Sequence, residues 1–242
     1  MHHLDLTLPS PAENLACDEA LLDWCESGDG VETLRFWEAS EPFVVVGYAN
    51  KIAVEVDAAA CEARNISIFR RCSGGGTVVQ GPGCLNYGLV LPITSDGPLH
   101  SIPVANQFIM RQNRAAIESA VSNPASAVAI RGHTDLVFGG RKFSGNSQRR
   151  RRKFLLFHGT LLLNFDLALV SHLLRMPSKQ PGYRENRSHA EFLTNLNLPA
   201  EKVKTALQRV WAANLPLTNV PRERIAALAR EKYATREWNF KF

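Results

Sequence analysis

Several features that define other protein classes are missing from this chain of 242 residues. No apolar run approaches the roughly 18 residues that a membrane-spanning helix needs, so we expect no membrane insertion. The N-terminus has no basic leader followed by a long apolar stretch, which argues against secretion. The five cysteines are odd in number and form no CxxC pair, which argues against a disulfide framework or a zinc knot. A reducing cytoplasm is therefore the expected compartment.

The chain also lacks a strong charge of one sign, because its formal net charge is only +5. Much of that excess comes from one basic run, residues 149–153. Nucleic-acid-binding proteins usually interleave aromatic side chains with their basic residues, and this run contains none. We therefore expect no nucleic-acid partner. An acidic protein or a phosphorylated substrate fits the charge equally well.

The order of the periodic segments indicates the fold class. Strand-like runs dominate up to about residue 165, and helical patterns dominate after it. Strands that precede a cluster of helices favour an α+β fold over a doubly wound sheet. We expect one domain over residues 1–242, in which the helices from about 200 to 242 form a loosely attached appendage at most.

The stretch RRCSGGGTVVQGPGCLNYG, residues 70–88, places three consecutive glycines inside an otherwise strand-like run. Glycines carry a large entropic cost, so they often mark a place where backbone comes close to another group. Backbone N–H groups of such a loop can bind an anion, and Arg71 would add charge-assisted bonds. The alternative is a glycine-rich bend that only fits against another backbone. No GK[ST] follows, which excludes a Walker loop, and no helix follows to match a dinucleotide-binding loop.

Two later segments carry polar side chains in strand-like surroundings. GGRKFSGNSQ, residues 139–148, places Lys142 just after a tight Gly139–Gly140 turn. A half-buried lysine requires an anionic partner such as phosphate or carboxylate, whereas an exposed hairpin lysine requires none. FHGTLLLNF, residues 157–165, contains His158, which either lines a site or is a satisfied core histidine. Neither segment is decisive by itself.

Taken together, these segments resemble the lipoate-protein ligase family of the biotin/lipoate transferase superfamily. That family has Arg-Arg-x-Ser-Gly-Gly-Gly followed by a strand, then Gly-x-Lys-x-Ser-Gly, then His-Gly-Thr-Leu-Leu. The chain carries all of these in order, in residues 70–76, 140–145 and 158–162. Its NLACDEALL segment, residues 14–22, also resembles the opening motif of the family. The resemblance covers most of residues 11–200.

The resemblance implies a fold, a reaction and partners. The fold would be a central mixed β-sheet flanked by helices, the class II synthetase-like catalytic domain of biotinyl and lipoyl protein ligases. The reaction would use ATP and Mg²⁺ to convert lipoate into an acyl-adenylate, and would then transfer the acyl group to a lysine of a carrier domain. The carriers would be acidic lipoyl domains, of the 2-oxoacid dehydrogenase E2 type or the glycine cleavage H protein type.

The resemblance also assigns residues to the site. Lys142 would be the catalytic residue and would also bind the nucleotide. The nucleotide would further contact Val78, Val79, Thr134 and Asp135. The acyl substrate would contact Arg71, Ser73, Gly74, Gly75, Gly76, Thr77, Val78, Gly83, Cys84, Ser144, Gly145, His158, Gly159 and Thr160. The segments VVVGYA and GLVLP, residues 44–49 and 88–92, would wall an apolar slot.

Departures from the family pattern leave alternatives open. Thr134 replaces an asparagine in the segment that touches the nucleotide. The run Gln80–Cys84 replaces His-Asp and Gly-Asn. This departure raises a rival reaction: octanoyl or lipoyl transfer from an acyl carrier protein or a lipoyl protein through a Cys84 thioester, without ATP. The alternative is that Cys84 has no catalytic role and is only a small buried residue. A non-catalytic module that binds lipoate or a nucleotide is a further alternative, and a biotin ligase would need a Gly-Arg-Gly-Arg-x-Gly motif that this chain lacks.

The length of the chain also bears on which reaction it carries out and whether it needs a partner. Many bacterial lipoate ligases carry a further C-terminal domain after a segment that resembles REWNFKF, residues 236–242. The resemblance therefore allows a separate accessory chain, an enzyme that only transfers, or a compact enzyme that needs no partner.

Overall fold

The computed structural model describes residues 1–121 and 127–242. The strands, numbered along the chain, are β1 (His2–Asp5), β2 (Thr33–Trp37), β3 (Phe43–Val46), β4 (Ile68–Arg70), β5 (Val78–Gln80), β6 (Cys84–Pro92), β7 (Val128–Arg131), β8 (Asp135–Phe138), β9 (Arg141–Arg150), β10 (Phe154–Leu162) and β11 (Leu215–Pro216). The helices are α1 (Pro11–Ser27), α2 (Ile52–Glu55), α3 (Ala58–Ala63), α4 (Ile102–Ala120), α5 (Leu167–Leu173), α6 (His189–Phe192), α7 (Ala200–Val210), α8 (Arg222–Leu228) and α9 (Arg236–Asn239).

The strands form two sheets. The large sheet has the order β11-β1-β2-β6-β10-β9-β8-β7, in which β1 pairs in parallel with β11 and β2 while the remaining pairs are antiparallel. The small sheet has the order β4-β3-β5 and also mixes parallel and antiparallel pairs. The predicted α+β fold with a central mixed sheet is therefore confirmed.

Alternation along the strands divides the large sheet into two faces. In β2, Leu34 and Phe36 pack into the core beneath α4 and α7, whereas Trp37 packs with α1. In β10, Leu155, Phe157 and Leu161 face the same core as Leu34. Successive side chains of a strand point to opposite faces. The face opposite this core is therefore the one on which β10 presents His158, Thr160 and Leu162.

The helices begin where the sequence provides caps. Ser10 caps α1 in a capping box with Glu13, Pro11 occupies its first turn, and Gly28 ends it with φ 95°. Helix α3 begins separately from α2, because Asp57 caps it by accepting a hydrogen bond from the Ala60 N–H.

Residues after 200 contact the rest of the chain extensively. Helix α7 packs against α4, and Val203 and Leu207 belong to the core of the large sheet. The Arg70 guanidinium donates to the backbone carbonyl groups of Trp238 and Asn239, and also to those of Gly47, Tyr48 and Asn50. The last residues of the chain are thereby joined to the loop after β3. No helix among the described residues is long and apolar enough to cross a membrane.

The turn between β5 and β6 gives a test of this packing. Gly83 has φ 85°, and a Cβ there would lie 2.3 Å from the Asn164 carbonyl oxygen. We expect Gly83→Ala to lower the free energy of unfolding by about 3 kcal/mol in urea titrations. Gly139→Ala is the matched control, because Gly139 has φ 56° but no atom within 4 Å of its Cβ position. It should cost about 1 kcal/mol. Equal losses in the two variants would contradict this account.

Candidate active site

A cavity of about 940 Å³ opens on the face of the large sheet that carries His158. Strands β9 and β10 form one wall, the glycine stretch and β3 form a second, and residues 175–193 close the third. The predicted site residues that line it are Arg71, Gly75, Gly76, Thr77, Val78, Val79, Thr134, Asp135, Lys142, Ser144, Gly145, His158, Gly159 and Thr160. The structure thus brings the three sequence motifs to one cavity.

Lys142 lies at one end of this cavity in an ion pair. Its Nζ is 2.8 Å from Asp135 Oδ1, and Asp135 Oδ2 accepts a hydrogen bond of 2.8 Å from the Tyr183 hydroxyl. Burial and the charge of Asp135 raise the pKa of Tyr183, so the phenol keeps its proton. Lys142 is partly exposed in the cavity, which leaves its ammonium accessible to an anionic ligand.

The Lys142 amine packs directly against Gly145. A Cβ at position 145 would lie 2.7 Å from Lys142 Nζ, so a larger residue would displace the amine. The neighbouring strand has a similar requirement, because a Cβ at Gly159 would overlap Asn146 Oδ1. Asn146 in turn accepts from Tyr87 and donates to the Thr134 carbonyl oxygen. Gly145 in the lysine motif and Gly159 in the histidine motif therefore leave space for polar side chains.

The glycine stretch forms a loop that Arg71 shapes from below. Gly75 has φ 85°, a conformation that favours glycine, whereas Gly74 and Gly76 have open space where a Cβ would be. The Arg71 side chain donates to the carbonyl oxygens of Gly74 and Gly76 and to Ser73 Oγ. The three glycines are exposed. The loop therefore occupies these N–H donors of Arg71. The exposed backbone of the loop is the part that can contact a ligand.

A chain of polar side chains runs behind this loop. Asp18 Oδ2 lies 3.0 Å from His158 Nδ1, His158 Nε2 lies 2.5 Å from Ser73 Oγ, and Ser73 Oγ lies 2.7 Å from Ser147 Oγ. Asp18 also pairs with Arg35 at 2.6 Å. Burial by itself would raise the pKa of Asp18, but the charge of Arg35 and the hydrogen bond from His158 hold it below its usual value. Asp18 is therefore a carboxylate.

Four predicted site residues do not line the cavity: Ser73, Gly74, Gly83 and Cys84. Ser73 is fully buried behind the loop, although it belongs to the polar chain just described. Gly83 lies in the β5–β6 turn, where its N–H donates to Glu38. Of the two segments predicted to wall an apolar slot, Val45 and Ala49 line the cavity, whereas residues 88–92 lie within the large sheet and do not.

Cys84 is removed from the cavity by its position in β6. Its side chain is 0% exposed and packs with Val44, Val79 and Phe165. Burial raises the pKa of its thiol far above the ordinary range, which disfavours the thiolate that a nucleophile needs. Burial likewise raises the pKa of Cys17 to about 11 and those of Cys25 and Cys72 to about 12. Among the residues that the structure describes, no cysteine lines the cavity.

The predicted nucleotide-binding residues lie at two places in the cavity. Thr134 and Asp135 are beside Lys142, where the Thr134 hydroxyl donates to the Asn146 carbonyl oxygen at 2.6 Å. Val78 and Val79 lie on β5, across the cavity from β10. Val79 is nearly fully buried, whereas Val78 is partly exposed.

Sequence reasoning missed several residues of the cavity wall. Arg184 and His189 belong to a polar stretch, residues 181–189, whose spacing gave no sign that it borders the site. Tyr183, in the same stretch, reaches the site through its hydrogen bond to Asp135. Asp18 lies in the opening motif, but nothing local to α1 indicates that it contacts β10. Trp37 and Asn86 also line the cavity, and the alternation of their strands predicts only that they share a face.

Helix α1 contacts the basic run and pairs with one of its charges, that of Arg151. Arg151 pairs with Asp23 at 2.8 Å, and the backbone N–H groups of Arg152 and Lys153 donate to Glu26. Arg150 donates to the Leu99 carbonyl oxygen. The run forms the end of β9 and the turn into β10, so only part of its charge is free to attract an acidic partner.

Residues 10–211 match the family model of the lipoyl protein ligase A/B catalytic domain. The chain belongs to this family. The predicted family resemblance is therefore confirmed, and the protein is an enzyme of the ligase or acyltransferase type rather than a binding module.

Two kinds of relative stand out within the lipoyl protein ligase A/B family. Octanoyltransferase LipM of Geobacillus kaustophilus is 29% identical and is aligned over 96% of this chain and 94% of its own. The corresponding protein of Anoxybacillus flavithermus is 30% identical over 96% and 95%. In structure, the chain resembles lipoate-protein ligase A bound with ATP, with a TM-score of 0.77 and 25% identity over 99% of both chains. It also resembles a bipartite lipoate protein ligase of Thermoplasma acidophilum, with a TM-score of 0.76 and 25% identity over 99% and 96%.

The burial of the cysteines predicts slow thiol chemistry. We expect the native protein to react with a thiol reagent such as 5,5′-dithiobis(2-nitrobenzoate) at least about a hundredfold more slowly than the unfolded protein does, because burial blocks access and disfavours the thiolate. The absorbance of the released thiolate measures both rates. In denaturant all five cysteines should react. One rapidly reacting thiol in the native protein, lost in Cys84→Ser, would contradict the placement of Cys84.

Proposed function

We propose that the protein uses ATP to activate an eight-carbon acid of the lipoate class and transfers the acyl group to a lysine of a lipoyl carrier domain. The observation that carries this proposal is the Lys142 ammonium, which Asp135 holds above Gly145 inside the cavity. An ammonium in that position stabilises negative charge as it develops on a phosphate and on a carbonyl oxygen.

The Lys142 end of the cavity has donors for a phosphorylated co-substrate. An ammonium has three N–H donors, and the ion pair with Asp135 occupies one of them. Lys51, Arg175 and Lys179 are exposed cations that line the same cavity. Several positive charges around one opening attract a polyanion such as the triphosphate of ATP.

The remaining wall suits an aliphatic chain. Val45, Val78, Leu162, Val170 and Leu174 all line the cavity. Transfer of an acyl tail from water to such a surface contributes roughly 0.8 kcal/mol for each buried methylene group. The cavity therefore offers cations for the carboxyl and phosphate groups and an apolar surface for the tail.

The proposed reaction has two steps. A carboxylate oxygen of the acid attacks the α-phosphorus of ATP, the bond to pyrophosphate breaks, and an acyl-adenylate forms. The amine of the carrier lysine then attacks the acyl carbonyl carbon, the bond to AMP breaks, and the amine releases a proton. Lys142 would remain hydrogen-bonded to the phosphate between the two steps, holding the intermediate and stabilising the charge on the leaving AMP.

Mg²⁺ would accompany ATP in this scheme. Among the described residues, no group of three or more His, Cys, Asp or Glu side chains could hold a metal ion. Magnesium usually keeps several waters and binds to substrate phosphates. We therefore expect the ion to enter with the triphosphate.

The names of the curated relatives favour a second candidate. Octanoyl transfer needs no ATP, because the carrier lysine amine attacks the thioester carbonyl of an octanoyl acyl carrier protein and the C–S bond breaks. The relatives at 29% and 30% identity are octanoyltransferases. The burial of Cys84 disfavours a thioester on that residue. In this second candidate the acyl group would therefore pass directly between the two carriers.

The acceptor in either case would be an acidic lipoyl domain of the E2 type or the glycine cleavage H protein type. The Thermoplasma system comprises a bipartite ligase and its E2 lipoyl domain. That arrangement supports both a lipoyl domain as acceptor and a separate accessory chain as partner.

One pair of reactions separates the two candidates. The protein is incubated with an unmodified carrier domain and either lipoate plus ATP and Mg²⁺, or octanoyl acyl carrier protein without ATP. Intact-mass spectrometry measures modification of the carrier. We expect modification in the first reaction, since several cations line the cavity and no cysteine of the described residues does. Modification in the second reaction alone would replace the ligase proposal with the transferase.

Lys142→Ala tests the role of the ammonium. We expect the rate of ATP-dependent carrier modification to fall at least about a hundredfold, because the charge that develops on phosphate and carbonyl loses its partner. Lys204→Ala is the matched control, since Lys204 pairs with Asp5 and Glu201 and does not line the cavity. Near-normal turnover of Lys142→Ala would reject the assignment.

Tyr183→Phe tests how Lys142 is held. The variant removes the hydrogen bond to Asp135, and we expect kcat to fall roughly fivefold while the KM for ATP changes less, as for the loss of one positioning hydrogen bond. Steady-state kinetics measure both constants. Tyr48→Phe makes the same chemical change at a side chain that does not line the cavity. Equal kinetics in the two variants would show that Tyr183 does not position Lys142.

A further inference from the structure

The loop between β3 and α2, residues 47–51, contributes Ala49, Asn50 and Lys51 to the wall of the cavity. Lys51 is one of the exposed cations that the proposed function assigns to the triphosphate of ATP, so the role inferred here for the loop rests on that function. The Lys51 ammonium forms no ion pair with any described residue, which leaves it available to a ligand. Its position depends on the groups that hold the loop.

Arg70, at the end of β4, holds this loop through the backbone. Its side chain is fully buried, and one nitrogen of its guanidinium, Nη1, donates to the carbonyl oxygens of Gly47, Tyr48 and Asn50 at 2.9, 3.1 and 2.8 Å. A guanidinium donates hydrogen bonds, accepts none and stays charged, so it gathers several carbonyl dipoles around one cation. Arg70 therefore fixes the backbone that leads directly into Lys51.

Helix α9 supplies the other part of the shell around Arg70. Nε donates to the carbonyl oxygens of Trp238 and Asn239, both at 3.2 Å, and Nη2 donates to the Asn239 oxygen at 3.0 Å. Asn239 Oδ1 also accepts from the Arg70 backbone N–H, and the Trp238 indole N–H donates to the Arg70 carbonyl oxygen, each at 2.8 Å. Two residues of α9 thus contact both the backbone and the side chain of Arg70.

The buried charge of Arg70 makes both parts of this shell necessary. No carboxylate of the described residues pairs with Arg70, and the Phe242 ring centre lies 5.3 Å from its guanidinium carbon. A buried cation is tolerated only when its donors are satisfied, and removal of its partners is strongly destabilising. If Trp238 and Asn239 moved away, the guanidinium would turn toward water and release the carbonyl groups of the loop. The loop and α9 are therefore ordered together.

We propose that Trp238 and Asn239 are positioning residues for the ATP site. Through Arg70 they hold the loop that presents Lys51 to the triphosphate, although neither of the two lines the cavity. The coupling is reciprocal, so a polyanion that binds to Lys51 stabilises the docked position of α9 by the same factor. Helix α9 thereby controls the affinity for ATP without contacting it.

Hydrogen exchange in the intact protein tests the coupling without any substrate. The backbone N–H groups of Tyr48 and Asn50 both donate to backbone carbonyl oxygens, so these two amides report on the order of the loop. Asn239→Ala removes the acceptor of the Arg70 N–H. We expect the two amides to exchange at least about tenfold faster in this variant, as measured by nuclear magnetic resonance.

Asn195→Ala is the matched control for this experiment. The Asn195 side chain also joins two backbone groups, since it accepts from the Phe165 N–H and donates to the Phe165 carbonyl oxygen, and it does not line the cavity. The loop amides should exchange at the wild-type rate in this variant. Trp238→Phe keeps an aromatic ring and removes only the indole donor, so it replaces Asn239→Ala if unfolding temperatures show that the latter does not fold.

Calorimetric titration with ATP and Mg²⁺ measures the effect on the site. We expect Asn239→Ala to bind ATP roughly fivefold more weakly than the wild type, as for the loss of one exposed charged contact, and Lys51→Ala to lose about as much. The double variant should bind ATP within about twofold of Lys51→Ala, because Asn239 acts on ATP only through the loop that carries Lys51. A merely structural role of Asn239 would instead give the same further loss in both backgrounds.

Three results would overturn the inference: loop amides that exchange at the wild-type rate in Asn239→Ala, equal ATP affinity in that variant and the wild type, or independent losses in the double variant. These results are distinct from a failure of the proposed function. If ATP binds in the expected order but carrier modification requires no ATP, the ligase proposal fails and the positioning role stands. If ATP-dependent modification occurs and Asn239→Ala binds ATP as tightly as the wild type, only the positioning role fails.

Discussion

The buried ion pair between Arg35 and Asp18 is the interaction on which the site depends. Arg35 is fully buried in β2 and donates to Asp18 Oδ1 and to both the side-chain and backbone oxygens of Asn14. A buried charge is tolerated only when it is paired and hydrogen-bonded. The pair therefore fixes helix α1 against the sheet. Because the other oxygen of Asp18 binds His158, the same contact also orients the wall of the cavity.

The cavity joins two sets of groups with different chemistry. At one end, Tyr183 and Asp135 hold the Lys142 ammonium above a glycine that leaves room for it. At the other end, the polar chain from Asp18 to Ser147 lies behind the glycine loop. Apolar side chains lie between and opposite them. In the proposed function, the cations bind the head group of the substrate and the apolar side chains contact its tail.

The similar proteins and the geometry of the site support different sources of the acyl group. The curated relatives are octanoyltransferases, while the solved neighbours are lipoate ligases, one of them bound with ATP. Folds of one family can host both reactions, because both deliver an acyl group to a carrier lysine. The proposal of an ATP-dependent reaction depends on the buried thiols of this chain, which disfavour a cysteine route, and on the cations that line the cavity.

Local sequence patterns predict β9 and β10, the order of the motifs and a lysine beside a hairpin turn. Period-two alternation and glycine turns are local signals, so β9, β10 and the Gly139–Gly140 turn follow from residues close in the chain. Only the tertiary structure decided that Tyr183 holds Asp135, that Asp18 reaches His158 and that Cys84 faces a core. These contacts join residues that lie 48 to 140 positions apart or depend on which face of a strand is covered. No local pattern specifies them, because they depend on the packing of whole elements against one another.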